Sequence, residues 1–348
     1  MNSNTKLVNF ALSLGIVSWI VYLLLIGKSL LVPFVIAVVI WYLIISLTGF
    51  IQRVRVFGQN VPEIVATLLA ILLGAILIWG FAALVSANIS MVVEKAPHYQ
   101  AKLKQLLSHA IDWFGLQQVP KLSDLFSELN FISLTSGFAQ MVTEVAANAG
   151  IILIYVLFLL LEHHTFNQKL EALIQQPEQL QKTREIVHRI SAKIRSYVGI
   201  KTALSLFAAS LSYILLRSVG VDFPEFWALL IFLLHYIPTI GSIVATVFPC
   251  LLAIVQFESW VPFTIVALGL MFIQFVVGNI LEPRLMGKSF NLSGLVILLS
   301  LGFWGKLWGI TGMFLCVPFT VIASIILSSF SKTRSIAIFL SEDGKIKN

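Results

Sequence analysis

The chain has 348 residues, of which 58% are hydrophobic and only 11% charged, with a mean hydropathy of +0.95 and a formal net charge of +7. Such a composition lies outside the range of soluble globular chains and indicates a polytopic membrane protein. The basic excess gathers in short segments beside apolar runs, which fits the positive-inside bias and argues against nucleic acid as a partner.

In chain order, the apolar runs predict spanning helices over residues 7–26, 29–51, 64–93, 146–161, 197–216 and 260–281. The first has the length of a span, lacks a small-x-small cleavage site and is followed at once by a second run, so it reads as a helix of the mature chain rather than a signal peptide. With the N-terminus in the cytoplasm, Arg53 and Arg55 lie inside. The third span then leads outward to a polar region, residues 94–145, where Leu103, Leu107, Ala110 and Phe114 recur at helical spacing. This predicts a small extracytoplasmic helical domain.

The fourth span returns to residues 162–201, where Lys169, Lys182, Arg184, Arg189, Lys193, Arg195 and Lys201 outnumber the acids and favour the inside. Val187, Ile190, Ile194 and Val198 form one apolar face there. The segment, taken as a linker over residues 162–196, reads either as a surface helix on anionic lipid or as a solvated helix continuous with the next span. Glu162-His163-His164 ends the fourth span and reads as a polar helix end, since no partner spacing supports a metal site.

Two later apolar stretches are each interrupted by helix-breaking residues. Residues 226–257 break at His235-Tyr236-Ile237-Pro238-Thr239-Ile240-Gly241, and residues 292–329 at Gly302-Phe303-Trp304-Gly305-Lys306-Leu307-Trp308-Gly309. Irregular backbone at membrane depth is tolerated only in protein or beside a cavity. A straight helix over residues 292–329 would run to nearly 60 Å, about twice the hydrocarbon thickness. A re-entrant hairpin there keeps Lys332, Arg334 and the 331–348 tail inside. The expected fold is all-α, with about six spanning helices plus two re-entrant or broken hairpins; the alternative is eight spanning helices. Both place the two termini in the cytoplasm. Pro249 and Pro318 occupy similar places on the returning arms, so residues 197–257 and 260–330 read as inverted halves of a transport core.

Ionisable groups within spans are candidates by default. His235 either carries a proton or donates to a solute oxygen, or else caps a broken helix end. Asn279 and Glu282 lie one turn apart before Pro283 and Arg284. The Glu282 carboxylate either binds Na⁺ or a proton, or pairs with Arg284 or Lys288 to fix the helix end. Gln274, two turns earlier, extends the polar stripe. Lys306 either attracts an anion or snorkels to the interface. Pro238, Gly241, Gly302, Gly305 and Gly309 shape the hairpin tips. Cys250 and Cys316 read as small buried hydrophobes. No phosphate-binding glycine loop or Gly-x-Ser-x-Gly elbow is present, so neither an ATP-driven pump nor a hydrolase is indicated, and no cofactor is implied.

Residues 197–202, His235 through Gly241, Glu282-Pro283-Arg284-Leu285-Met286-Gly287 and residues 298–318, in this order, resemble the autoinducer-2 exporter (AI-2E) family, bacterial inner-membrane proteins also described as predicted permeases. The likeness covers nearly the whole chain. It departs at His235, where the family often has Asn, at Gly294, where Pro commonly follows Leu-Ser, and at Lys306, often aromatic. The resemblance implies a non-enzymatic transporter in the inner membrane that exports a small polar solute such as autoinducer-2. Its alternative implication is Na⁺ or Li⁺ exchange for protons. It also implies a ring-like homo-oligomer, a pentamer. A passive channel or membrane scaffold is the rival from another class.

Overall fold

Lipid cannot satisfy a free amide or carbonyl, so apolar runs of bilayer length fold as helices. The computed structural model describes residues 3–53, 55–56, 59–76, 79–80, 83, 94–95, 97–99, 101–102, 105, 147–163, 165–257, 259–286 and 290–345. Among these it is helical apart from turns and a two-residue antiparallel ladder, β1 (Arg55–Val56) with β2 (Gln59–Asn60). The helix expected around Leu103, Leu107, Ala110 and Phe114, the end of the third span, His164 and Lys288 lie outside the described residues.

The helices are α1 (Ser3–Ile26), α2 (Lys28–Gln52), α3 (Glu63–Ile76), α4 (Ala149–Glu162), α5 (Phe166–Leu173), α6 (Pro177–Val219), α7 (Pro224–Leu234), α8 (Ile240–Phe257), α9 (Trp260–Phe275), α10 (Glu282–Met286), α11 (Gly294–Ser329) and α12 (Arg334–Leu340), with a π-helix, Val276–Leu281, between α9 and α10. Among the described residues, α2, α6, α8, the run Trp260–Met286 and, counted end to end across its internal reversal, α11 are long and apolar enough to cross a bilayer, and the bent pair α4 and α5 makes a sixth. Their exposed faces carry large apolar side chains, such as Trp260, Leu268 and Phe272 on α9, where water would disfavour them and lipid would not.

The chain divides into two compact units. The first contains α1, the start of α2, α4, α5, the start of α6, α11 and α12. Its polar ties include Trp308 Nε1, which donates to the Leu24 carbonyl at 3.0 Å, and Tyr42, which donates to Ser191 Oγ at 3.2 Å. At the end of α4, Lys169 binds Glu162 and the His163 ring packs edge-on against Trp41, so these residues form a polar helix end.

Within this unit α11 is a hairpin. Gly309 has φ 65° and ψ −141°, a conformation L side chains rarely adopt, and the chain reverses there. Ser300 meets Thr320 at 2.5 Å and Trp304 stacks on Phe319 with centroids 4.3 Å apart, pairings that converge on residue 309. The arms, residues 294–308 and 310–329, are about 22 and 30 Å long, so the first is too short to cross. The break is narrower than the sequence pattern suggested. Gly302, Gly305 and Lys306 are helical; Gly305 lets Met313 of the returning arm approach, and Lys306 is exposed.

The second unit holds the rest of α2, α3, the later part of α6, and α7 through α10. Its core joins Leu204, Ala208 and Leu216 of α6 to Phe226, Trp227 and Ile231 of α7, Leu252 and Ala253 of α8, and Val266, Leu270 and Val277 beyond. α6 runs unbroken past residue 196. Its predicted apolar face turns inward progressively, from half-buried Val187 and Ile190 to buried Ile194 and Val198. α7 and α8 form the first hairpin, reversing at residues 235–239 as the His-Tyr-Ile-Pro-Thr run predicts. At the far end of this hairpin Gln256 clasps the α6–α7 loop, accepting from the Asp222 amide at 2.8 Å and donating to the Gly220 carbonyl at 2.9 Å.

Candidate functional site

The polar residues that matter begin on α6. Positions 201, 205, 208, 212 and 216 share its inner face at helical spacing, and three of them are polar: Lys201, Ser205 and Ser212, all buried. Lys201 is 3% exposed. This corrects its assignment to a cytoplasmic cluster of basic residues: an ammonium in an apolar span needs a counter-ion within the protein. Glu282 supplies it, with Oε1 2.6 Å from Nζ. Among the described residues Lys201, rather than Arg284, is the partner of Glu282. Arg284 is exposed, and Lys288 lies outside the described residues.

The π-helix sets the carboxylate's direction. Eight residues of α-helix from Gln274 to Glu282 would overshoot two turns by about 80°. Accommodating one extra residue in the π turn takes back about 100°, leaving Gln274 and Glu282 within about 20° of one another. Both therefore look inward, while Asn279, within the π segment, is exposed and takes no part.

His235 comes from the break of the first hairpin. Its amide closes the end of α7 on the Ile231 carbonyl at 2.9 Å, and its buried imidazole presents Nε2 to Glu282 Oε2 at 3.8 Å, beyond hydrogen-bond reach. Gln274 stands beside the imidazole without meeting hydrogen-bond geometry. Among the described residues, His235 Nε2, both amide atoms of Gln274 and the hydroxyls of Ser205 and Ser212 are buried without a hydrogen-bond partner. Buried polar atoms are nearly always satisfied, so the unpartnered atoms of His235 and Gln274, side by side, mark a place built to receive polar groups.

The break itself is tied down. Thr202 donates to the Val198 carbonyl at 2.7 Å, which uses its one proton, so Tyr236 must donate to Thr202 Oγ1 at 2.5 Å. Pro238 lies in the turn, where its carbonyl accepts from the Ile240 amide at 2.6 Å. Gly241 opens the returning helix so tightly that a Cβ there would lie 1.7 Å from the Leu234 carbonyl oxygen.

Of the sequence-predicted site residues, the structure thus gathers His235, Gln274 and Glu282, with Pro238 and Gly241 shaping the break beside them. Asn279 and Arg284 face outward. Gly302, Gly305 and Lys306 belong to the hairpin of the first unit. Sequence reasoning missed Lys201, Thr202, Tyr236 and Ser205. The available signal for Lys201 was its position inside an apolar 197–216 run.

Long apolar helices, two hairpins reversing at irregular breaks and an ion pair on a buried lysine beside one break define the class of membrane transport proteins built with discontinuous helices. Comparison with known sequences agrees. Two relatives carry the name "Putative transport protein". One, from Haemophilus influenzae, is 31% identical over 98% of this chain and 99% of its own; the other, from Borreliella burgdorferi, is 28% identical over 93% and 88%. The AI-2 transport protein TqsA of Escherichia coli is 29% identical over 92% of this chain and 91% of its own. The chain belongs to the AI-2E family of transporters, whose family model, "AI-2E family transporter", matches residues 14–332.

Proposed function

We propose that this protein is a bacterial inner-membrane secondary transporter that exports a small polar solute, an autoinducer-2-like signal or a related metabolite. The observation that carries the reading is the group of buried Lys201, His235 and Gln274 with the partly exposed Glu282 at the first hairpin's break, with polar atoms unpartnered among the described residues. A polar solute offers such atoms the hydrogen bonds they lack, and a broken helix is where transport folds place their solutes. The likeness to TqsA supports autoinducer-2 as the first solute to try. The protein works as a homo-oligomer, a pentamer, with both termini cytoplasmic. The test is uptake of autoinducer-2 by inside-out vesicles containing the protein or its Glu282→Gln variant. Uptake that the variant loses supports the reading; equal uptake by protein-free vesicles rejects it.

A second reading is exchange of Na⁺ or Li⁺ for protons. It is favoured by the state of Glu282, whose partly exposed carboxylate already holds one cationic group and keeps its second oxygen clear of hydrogen-bond contact with His235. Its test is collapse of an imposed pH gradient in proteoliposomes on adding Na⁺, Li⁺ or K⁺. No collapse with any of them removes this reading and leaves solute export or a passive channel.

A further inference from the structure

The returning arm of the second hairpin ends at Ser329, and α12 follows within a few residues. Thr333 donates to the Leu327 carbonyl at 2.8 Å, and at the other end of the helix the Ser293 amide donates to the Leu340 carbonyl at 3.0 Å, so α12 is tied back on the base of the hairpin at both ends. Ala337 is its buried residue. This fixes the roll of the helix and leaves Ile336, Ile338 and Phe339 outside, Phe339 being 82% exposed; Phe330, just before the helix, is exposed as well. Ile336 and Phe339, three residues apart, share one side of the helix. Held in this way they cannot turn inward, and they call for a cover that the unit itself does not supply.

The lysines and arginines of α5, the start of α6 and the α11–α12 turn fall into two sets. Lys169, Arg184 and Arg189 are each paired with a glutamate, Glu162, Glu171 and Glu185 respectively. Lys182, Lys332 and Arg334 are exposed, and none of them pairs with a carboxylate among the described residues. These three are the ones beside the uncovered apolar side chains. Lys182 Nζ stands 5.8 Å from the centre of the Phe330 ring, and Lys332 and Arg334 come two and four positions after that ring in the chain. Glu342 and Asp343, the acids that follow α12, turn their amides to Asn291 and pair with none of the three.

We propose that α12, with Phe330, is an interfacial anchor that docks on the anionic headgroups of the leaflet on its own side of the bilayer. Phe339 and Ile336 enter the headgroup boundary, and Lys182, Lys332 and Arg334 bind lipid phosphates. Two features select a lipid surface over a protein partner. The apolar returning arm ends one residue before Phe330, which brings this face to the membrane boundary without any further element. Unpaired cations beside an apolar face also ask for apolar and anionic chemistry together, and an anionic leaflet presents both. The anchor is independent of which solute or ion the protein carries.

The test uses the full chain with Cys250→Ala, Cys316→Ala and a nitroxide on Phe339→Cys, in vesicles of phosphatidylcholine alone or mixed with phosphatidylglycerol. Collision of the label with oxygen, which concentrates among acyl chains, is compared with collision with a water-soluble nickel chelate. Oxygen is expected to dominate in the phosphatidylglycerol vesicles and to lose several-fold in phosphatidylcholine alone. Lys332→Gln and Arg334→Gln are each expected to lower the inserted-to-free ratio by about fivefold in the phosphatidylglycerol vesicles. Should the cysteine-free chain fail to fold, Phe339→Trp replaces it, read as fluorescence beyond that of the parent chain that brominated phosphatidylglycerol quenches; no such quenching overturns the anchor. Nickel-dominated collision in both kinds of vesicle overturns it too. A label immobile and reached by neither reagent gives the face to another protein chain and overturns lipid docking. Oxygen-dominated collision that is equal in both kinds of vesicle overturns the binding of anionic headgroups.

Discussion

Gly241 and Leu234 touch across the first break so closely that a Cβ at position 241 would lie 1.7 Å from the Leu234 carbonyl oxygen; in the second hairpin Gly312 stands 1.9 Å from the Trp304 carbonyl oxygen by the same measure. The obstacle in each case is backbone, which cannot swing aside as a side chain can. Gly241→Ala and Gly312→Ala should each destabilise the protein by about 3 kcal/mol or more, the upper range for overpacking. Gly302→Ala is the control: it is helical with open space around it, so alanine should add about 0.5–1 kcal/mol of stability. Thermal unfolding of the three variants in one detergent checks the contrast. Equal behaviour would mean that the reversal does not depend on the close approach.

The difference between Gly302 and Gly309 also marks how far the sequence could be read. Three glycines within residues 302–309 indicate a reversal, and there is one, but only backbone geometry singles out Gly309, since glycine is also compatible with a helix. The first break was legible because the His235–Gly241 run holds a proline, which cannot continue a helix; the reversal occupies residues 235–239 of that run, where Thr239 takes a left-handed conformation, φ 57°. Lys201 was not, because a lysine directly after a basic segment resembles loop charge; what distinguishes it is Glu282, 81 positions later. The alignment of Gln274 with Glu282 was anticipated on α-helical spacing, yet it is achieved through a π turn that nothing in the residue pattern announces.

Removing Glu282 leaves Lys201 buried without its counter-charge. Glu282→Met should cost about 3–5 kcal/mol, because the ammonium, 3% exposed, is then held beside an apolar side chain. The double variant Lys201→Met with Glu282→Met should recover most of that loss, since an apolar pair of similar volume often packs as well as an ion pair. A double-mutant cycle on Tm measures the coupling. Additive losses would place the two side chains apart in the working protein.

Tyr99 donates to Asp222 Oδ2 at 2.5 Å, with Lys95 on the same oxygen at 3.2 Å, and Asp222 is itself clasped by Gln256. Burial, with the Asp222 carboxylate adding to it, raises the phenol above the ordinary tyrosine range. A raised value means that the contact is fully present below the unfolded tyrosine's pKa, about 10, and is lost only as pH climbs through the higher folded one. Tyr99→Phe should therefore cost about 1–2 kcal/mol equally at pH 6 and pH 9. Unfolding at the two pH values tests this; a loss confined to pH 9 would implicate a different titrating group.

Asn291 holds the C-terminal segment with one side chain. Its Nδ2 donates to the Lys345 carbonyl at 2.6 Å and its Oδ1 accepts from the amides of Glu342 and Asp343 at 3.2 and 3.4 Å, while Ser293 donates its amide to the Leu340 carbonyl at 3.0 Å. The residue has φ 39°, a left-handed conformation that asparagine tolerates better than most side chains. Two substitutions separate the backbone role from the side-chain role. Asn291→Gly keeps the conformation and loses three hydrogen bonds, whereas Asn291→Ala loses both. Hydrogen exchange at Glu342 and Asp343 should accelerate in both variants, and the alanine variant should be less stable than the glycine variant by about 1 kcal/mol of backbone strain, read as a lower Tm. Unchanged exchange in the glycine variant would assign the hold on the tail to Ser293 and Leu340 instead.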